Sequence, residues 1–175
     1  MRHWLGPLLF GAVVAAATIW AAVSYVPYAL MNVAMDRLGQ GGINTMSYGA
    51  LATAARQPIV RPSPDLAYST CPYDLSAGPL AIEVTPVPGR YSSLSIFDAA
   101  TDVIFVRNDM QTGGKPFRII VAREGQAVPA GAEIVRTNHD KGIALVRFLL
   151  KDPAEIGGLD AVRRQSSCRP VTNPK

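Results

Sequence analysis

The feature that most constrains this chain is a stretch near its start, Trp4 to Met35, that contains no charged residue. Within it, Leu5 to Val26 would form an α-helix about 33 Å long, which matches a hydrocarbon core about 30 Å thick. A helix also satisfies its own backbone hydrogen bonds in lipid, where water is absent. Pro27 predicts the end of the helix, because proline has no N–H to donate. We therefore predict one membrane span, from Leu5 to Val26.

A cleaved signal peptide is the alternative to this anchor. Ala22 and Ser24 place small residues at the spacing of a cleavage site, and cleavage near Ser24 would give a secreted domain. Against cleavage, the positively charged leader is only Met1 to His3, and the apolar run exceeds the ~7–15 residues usual in signal peptides. An uncleaved anchor is preferred, and cleavage stays the alternative.

The position of the span also predicts the orientation of the chain. Arg2 precedes the span and Arg37 follows it, so the distribution of positive charge alone decides little. Long domains cross a membrane largely regardless of their charge. We predict an inner (cytoplasmic) membrane protein with its N-terminus in the cytoplasm and its domain on the periplasmic or extracytoplasmic side.

The charged residues do not indicate a nucleic-acid partner. The net charge is only +4, and the Lys and Arg residues are scattered, not interleaved with aromatic residues as on a nucleic-acid surface. We interpret them as solvated surface residues. The predicted span makes the lipid bilayer a predicted partner, and the charge pattern gives no reason to predict nucleic acid.

The two cysteines, Cys71 and Cys168, lie far apart in the chain, and neither has a Cys or His at metal-ligand spacing. This arrangement argues against a zinc site. In an exported domain the two thiols could pair, and closing so long a loop would stabilise the fold by about 4–5 kcal/mol in the chain-entropy model. The sequence leaves open whether they pair or stay separate.

Composition divides the chain into three parts: an anchor over residues 1–30, a connector over 31–57 and a folded domain over 58–175. The connector is rich in Gly, Asn and Ser, without a sustained hydrophobic period. Short runs with alternating or continuous apolar residues follow, separated by turn residues. They predict strands at Leu80–Thr85, Tyr91–Phe97, Val103–Arg107, Phe117–Ala122, Glu133–Thr137 and Ile143–Leu150.

One soluble helix is predicted near the C-terminus. Asp152 suits the N-cap, Pro153 the first helical position and Glu155 the third position of a capping box. After Cys168 we expect the tail to be frayed. The predicted fold is thus mainly β, an antiparallel β-sandwich or open barrel with one C-terminal helix, preceded by one transmembrane helix.

No catalytic constellation is evident in the sequence. The phosphate-loop, esterase-elbow and zincin motifs are absent, and His139 lies in a polar turn. Four aspartates could act as paired carboxylates or calcium ligands, but each lies beside turn residues, where Asp commonly caps backbone groups. These are Asp65, Asp74, Asp98 and Asp102. We predict no catalytic residue, no metal and no cofactor.

An ordered series of motifs runs from Val60 to Ile104. The positions are Arg61, Pro62, Asp65 and Tyr68, then Asp74, Leu75 and Pro79, then Gly89, Arg90 and Tyr91, then Asp98, Thr101, Asp102 and Val103. In this order they resemble the family catalogued as domain of unknown function 1254, and the resemblance covers roughly residues 43 to 167. It implies a β-sandwich and a companion β domain, catalogued as domain of unknown function 1214, on a separate chain.

These observations favour an anchored domain that acts by binding, with the companion protein completing its surface. The alternative is a cell-envelope enzyme of unknown reaction with a polar site around Arg61, Asp65, Tyr68 and Arg90. Asp98 joins these four residues in the predicted ligand-binding set. The sequence indicates no substrate, so binding is the preferred function.

Overall fold

The first element of the protein is a single long helix. The computed structural model describes residues 2–53 and 62–171, and it begins with a 3-10 turn at Arg2–Trp4 followed by α1 (Leu5–Leu38). By length and composition α1 can cross a membrane, although N-terminal signal sequences share these properties. The expected helix end at Pro27 is wrong. The helix loses one hydrogen bond there but continues to Leu38, because its last turns pack against the domain.

The domain that follows is a β-sandwich with one C-terminal helix, so the predicted mainly-β fold class is confirmed. Two separate sheets distinguish it from an open barrel. Its elements are β1 (Ser47–Tyr48), β2 (Leu66–Asp74), β3 (Leu80–Val84), β4 (Ser92–Asp98), β5 (Val103–Asn108), α2 (Asp109–Thr112), β6 (Phe117–Arg123), β7 (Ile134–Thr137), β8 (Lys141–Leu149), α3 (Ile156–Arg163) and β9 (Ser167–Pro170).

The strands form a five-stranded and a four-stranded sheet. The five-stranded sheet has the order β1-β2-β8-β4-β5, and all its neighbours are antiparallel. The four-stranded sheet has the order β7-β6-β3-β9, in which only β6 and β7 are parallel. Because β8 lies between β2 and β4, strands far apart in sequence meet at the centre of the larger sheet.

The core lies between the two sheets. Ile82 and Ile119 from the smaller sheet, and Leu94, Ile96 and Val146 from the larger one, are fully buried. The alternation of apolar residues along these strands places one set of side chains inside, as a sandwich requires.

Three strands, β1, β2 and β9, were not predicted from the sequence, and a disulfide joins the last two. β2 was missed because its inward side chains are small or polar apart from Tyr73, and Pro72 interrupts its pattern. β9 was missed because the tail was expected to be frayed; it pairs instead with β3. Cys71 of β2 is bonded to Cys168 of β9 across the sandwich, with a Cα–Cα distance of 6.4 Å. Both cysteines are buried, so the bond fastens the last strand to the opposite sheet.

The predicted C-terminal helix is present but begins as a 3-10 turn at Pro153–Glu155, before α3. The Asp152 side chain caps this turn by accepting a 2.8 Å hydrogen bond from the Ala154 N–H. The Glu155 carboxylate is bound by Arg90 and also accepts a 3.3 Å hydrogen bond from the Lys151 N–H, just before this cap.

A buried tyrosine crosses the larger sheet over a glycine. The Tyr73 hydroxyl donates a 2.9 Å hydrogen bond to the Phe97 carbonyl, reaching from β2 across β8 to β4. A Cβ atom at Gly142 would overlap both the Tyr73 ring and the Phe97 oxygen, so this position requires glycine. Burial raises the pKa of the Tyr73 hydroxyl, and the neighbouring Asp98 raises it further.

Candidate functional site

The last turns of α1 lie on the outer face of the five-stranded sheet. Met31 and Met35 are buried there and form an apolar cluster with Ile143 of β8. The Thr70 hydroxyl of β2 donates a 3.1 Å hydrogen bond to the Leu38 carbonyl at the helix end. We call this region the junction; it holds α1 against the domain by packing and by a hydrogen bond.

A polar contact marks the end of the junction nearer the N-terminus of α1. The Tyr28 hydroxyl lies 3.2 Å from His139 Nε2, and the two rings meet edge to face at 5.7 Å. On its other side, His139 Nδ1 lies 3.0 Å from Asp98 Oδ2. The imidazole therefore connects the helix to the domain.

The loop between β4 and β5 wraps around the Asp98 carboxylate. Its Oδ1 accepts hydrogen bonds from the N–H groups of Ala100 and Asp102, at 2.9 and 3.0 Å. In the same loop Thr101 has a φ of 68°. A left-handed conformation is strained for a β-branched residue and persists only where the surroundings fix it. The hydrogen bonds to Asp98 provide this constraint.

A groove runs beside the junction along the outer face of the sheet. Its volume is about 900 Å³, within the ~300–1,000 Å³ typical of ligand sites. One side is formed by α1 residues, including Met31 and Leu38, and the strands contribute Ile143, Leu145 and Tyr68. Arg37 is the one charged side chain among the described lining residues.

The residues predicted as a ligand site are distributed over several places. Arg61 lies outside the described residues. Asp65 is exposed, and its carbonyl accepts a 2.8 Å hydrogen bond from the Leu150 N–H. Tyr68 lines the groove, and its hydroxyl accepts a 2.9 Å hydrogen bond from the Ser63 N–H. Asp65 and Tyr68 thus lie close in the chain, and only Tyr68 faces the groove.

The other two predicted residues, Arg90 and Asp98, occupy opposite ends of β4. Arg90 is bound by both oxygens of Glu155, and these hydrogen bonds lower the pKa of Glu155 to about 2. The same contact raises the pKa of Arg90. Asp98 instead holds His139 at the junction. The structure therefore does not bring Arg90 and Asp98 together.

The arrangement around His139 resembles half of a catalytic triad, in which a carboxylate orients an imidazole. Here Nε2 faces the Tyr28 hydroxyl of α1, so the imidazole serves as a link between helix and domain. Among residues 2–53 and 62–171, no three His, Cys, Asp or Glu side chains lie together as metal ligands.

Sequence reasoning missed the junction residues of α1. Tyr28, Met31 and Met35 lie at i, i+3 and i+7 within the charge-free stretch, which is the spacing of one helix face. The signal was present but hidden, because most residues around these three are also apolar. Leu145 was placed in the predicted strand Ile143–Leu150, but the sequence did not indicate that its side chain lies on the outer face of the sheet.

A solved structure similar to this chain supports the fold. The VPA0106 protein from Vibrio parahaemolyticus has 19% identity and a TM-score of 0.55, over 63% of this chain and 32% of that one. An uncharacterized protein from Burkholderia cenocepacia has 16% identity and a TM-score of 0.49, over 91% of this chain and 44% of that one. This chain thus spans less than half the length of either protein. No curated protein matches it.

The sequence also matches a described family over most of its length. The match covers residues 43–170, which include every strand of the sandwich, and the family is described as "Protein of unknown function (DUF1254)". It confirms the resemblance seen in the ordered motifs between Val60 and Ile104. This chain belongs to the DUF1254 family of proteins of unknown function.

Proposed function

We propose that this chain is a single-pass membrane protein whose β-sandwich acts by binding, not by catalysis. The observation that carries the proposal is the change in surroundings along α1. Large apolar side chains near its start are exposed, such as Leu9 at 67% and Trp20 at 69%, whereas Met31 and Met35 are buried on the domain. Exposed apolar residues all round a helix are expected in lipid and not in water.

We further propose that the domain lies on the periplasmic or extracytoplasmic side of the inner membrane, with the N-terminus in the cytoplasm. The disulfide between Cys71 and Cys168 supports this side, because such bonds persist mainly in oxidising compartments.

An exposed apolar edge supports binding as the activity. β5 is an edge of the five-stranded sheet, and its Val103 and Val106 side chains are each 53% exposed. Met110, just beyond the strand, is 83% exposed. Edge strands with apolar residues are normally covered, so this edge suits a partner. The partner proposed is a companion β-domain protein of the 1214 family on a separate chain.

The partner is tested by purifying the chain from its native membranes in a mild detergent and identifying bound proteins by mass spectrometry. A companion β-domain protein should be recovered with the natural chain and lost with Val106→Glu. Ile134→Glu is the matched control, since Ile134 is 38% exposed on the edge strand β7 of the other sheet. Recovery of background proteins alone, or equal recovery with both variants, would contradict the proposal.

The anchor is tested separately by washing membranes with alkaline carbonate and measuring the mass of the retained chain. An uncleaved chain in the membrane pellet supports the anchor. A chain that begins near Ser24 and is found in the soluble fraction refutes it.

A further inference from the structure

The groove beside the junction has one end on the membrane side of the domain. Along α1 from the predicted span, Tyr28 contacts His139 first, and Leu38 contacts Thr70 last. Thr101, which lines the groove, lies in the loop that binds His139. The groove thus begins near the bilayer and follows α1 away from it. This placement rests on the proposed function, because it takes α1 as the anchor.

The part of the groove floor that β8 forms offers few backbone groups to an occupant, whereas the edge strand β1 lines the groove elsewhere. Ile143 and Leu145 belong to β8, which is hydrogen-bonded to β2 on one side and to β4 on the other. A peptide could not add a strand there, and its buried amides would stay unpaired at a high cost in free energy. An alkyl chain has no polar groups to satisfy. The floor therefore favours an alkyl chain over a peptide.

The side formed by the helix is also apolar, through Met31, Ala34 and Leu38. These residues lie at i, i+3 and i+7 and form one stripe, which rises about 10 Å along the helix axis. Methionine side chains adapt their shape to a flexible occupant. An elongated apolar ligand parallel to α1 fits this stripe.

Arg37 gives the groove a preference for negative charge. It is exposed at the rim, and no ion pair is formed by it within the described part of the chain. Its guanidinium can bind a carboxylate with two parallel hydrogen bonds. The single groove also holds only one alkyl chain, whereas a phospholipid carries two.

We infer that the groove is a binding site for a long-chain fatty acid, with the alkyl chain along Leu145 and Ile143 and the carboxylate beside Arg37. The ligand would enter from the adjacent leaflet of the membrane. Fatty-acid binding would make the junction a ligand-binding site, in addition to the place where the anchor is attached to the domain.

The test uses the full chain in nanodiscs of neutral phosphatidylcholine. The probe is palmitic acid with a photoreactive diazirine near the middle of its alkyl chain. Crosslinks should map to residues 31–38 and 143–145. Leu145→Trp fills the groove and should lower crosslinking about tenfold, the effect of losing roughly 55 Å² of apolar contact. Leu149→Trp, on the same strand and face as Leu145 but outside the groove, should leave it unchanged.

A second arm tests the head group by competition with unlabelled palmitate or hexadecanol. Arg37→Gln should weaken competition by palmitate several-fold, as expected when a charged hydrogen bond is lost, and leave hexadecanol unaffected. Crosslinks confined to residues 5–26, or equal labelling of both tryptophan variants, would overturn the inference. A chain cleaved near Ser24 would keep Met31 to Leu38, so this assay and the carbonate wash can fail independently.

Discussion

The interior of the sandwich and the junction with α1 are both apolar, but they are held together differently. The interior has fully buried side chains from both sheets, a disulfide between the sheets and the Tyr73 hydrogen bond across three strands. Among the described residues, the apolar cluster of the junction buries Met31, Met35 and Ile143, and no residue of α1 belongs to the interior cluster. The comparison indicates a domain whose stability is independent of the helix that carries it.

The largest effect is expected at Gly142, inside the sandwich. Gly142→Ala should destabilise the domain by about 2–4 kcal/mol, because the new methyl group overlaps the Tyr73 ring and the Phe97 carbonyl. Urea unfolding, followed by the tyrosine signal in near-ultraviolet circular dichroism, measures this change. Trp20 lies in α1 and Trp4 in the 3-10 turn before it, so tryptophan fluorescence would report on this N-terminal segment instead.

Gly158→Ala is the matched control for Gly142→Ala. Gly158 lies within α3, and a Cβ atom there would have no neighbour within 4 Å. Alanine should stabilise this helix by about 0.5–1 kcal/mol. Equal destabilisation by the two substitutions would show that the close approach at Gly142 does not limit the fold.

A smaller effect on the domain is expected from Met35→Asp at the junction. A carboxylate cannot be buried against Ile143 without a partner, so the helix end should leave the sheet. Amide hydrogen exchange should become faster over residues 31–38, while the unfolding free energy of the sandwich changes by less than about 1 kcal/mol. Val33→Asp is the control, because Val33 is 45% exposed on the same helix. Joint loss of helix docking and sandwich stability would remove the distinction between the two regions.

The smallest effect is expected from the ion pair between Glu155 and Arg90, which belongs to neither region. The pKa of Glu155 is lowered from 4.5 to about 2, so its contribution to stability is complete above pH 4.5 and is lost as the pH falls toward 2. The pair is partly exposed, which limits its contribution.

Glu155→Gln measures this contribution. The variant should have a slightly lower thermal midpoint than the natural chain at pH 7, and the difference should disappear near pH 2. A difference that is constant across this range would mean that the carboxylate acts through packing and not through its charge.

Much of the fold followed from periodicity alone. β3, β4 and β6 carry apolar residues at alternate or continuous positions, and each was predicted to within two residues. The signals for β2 and β9 are long-range, because their strand character depends on β8, on β3 and on the disulfide between them. Local patterns contain no information on such partners. The continuation of α1 beyond Pro27 has the same cause, since packing on Ile143 outweighs the missing hydrogen bond.

The candidate site was less predictable than the fold. The groove exists because α1 lies on the outer face of the sheet, and no local pattern indicates which face a preceding helix will cover. The contact between Asp98 and His139 joins the end of β4 to the loop between β7 and β8. The ordered motifs did identify Tyr68 and Asp98 as candidates, and these two residues lie at the groove and at the junction. Whether they bind a ligand stays a prediction.

The central position of β8 has a consequence for how the chain is made. A growing polypeptide presents β2 and β4 long before β8, which must insert between them. Until then the two strands have unpaired edges and an incomplete apolar face, a condition that favours slow folding and unwanted association. If α1 is already held in a bilayer, each nascent domain is attached to the membrane surface. This attachment keeps it apart from other nascent domains. Tethering would then act as a spacer during biosynthesis, protecting strands whose partner has not yet emerged.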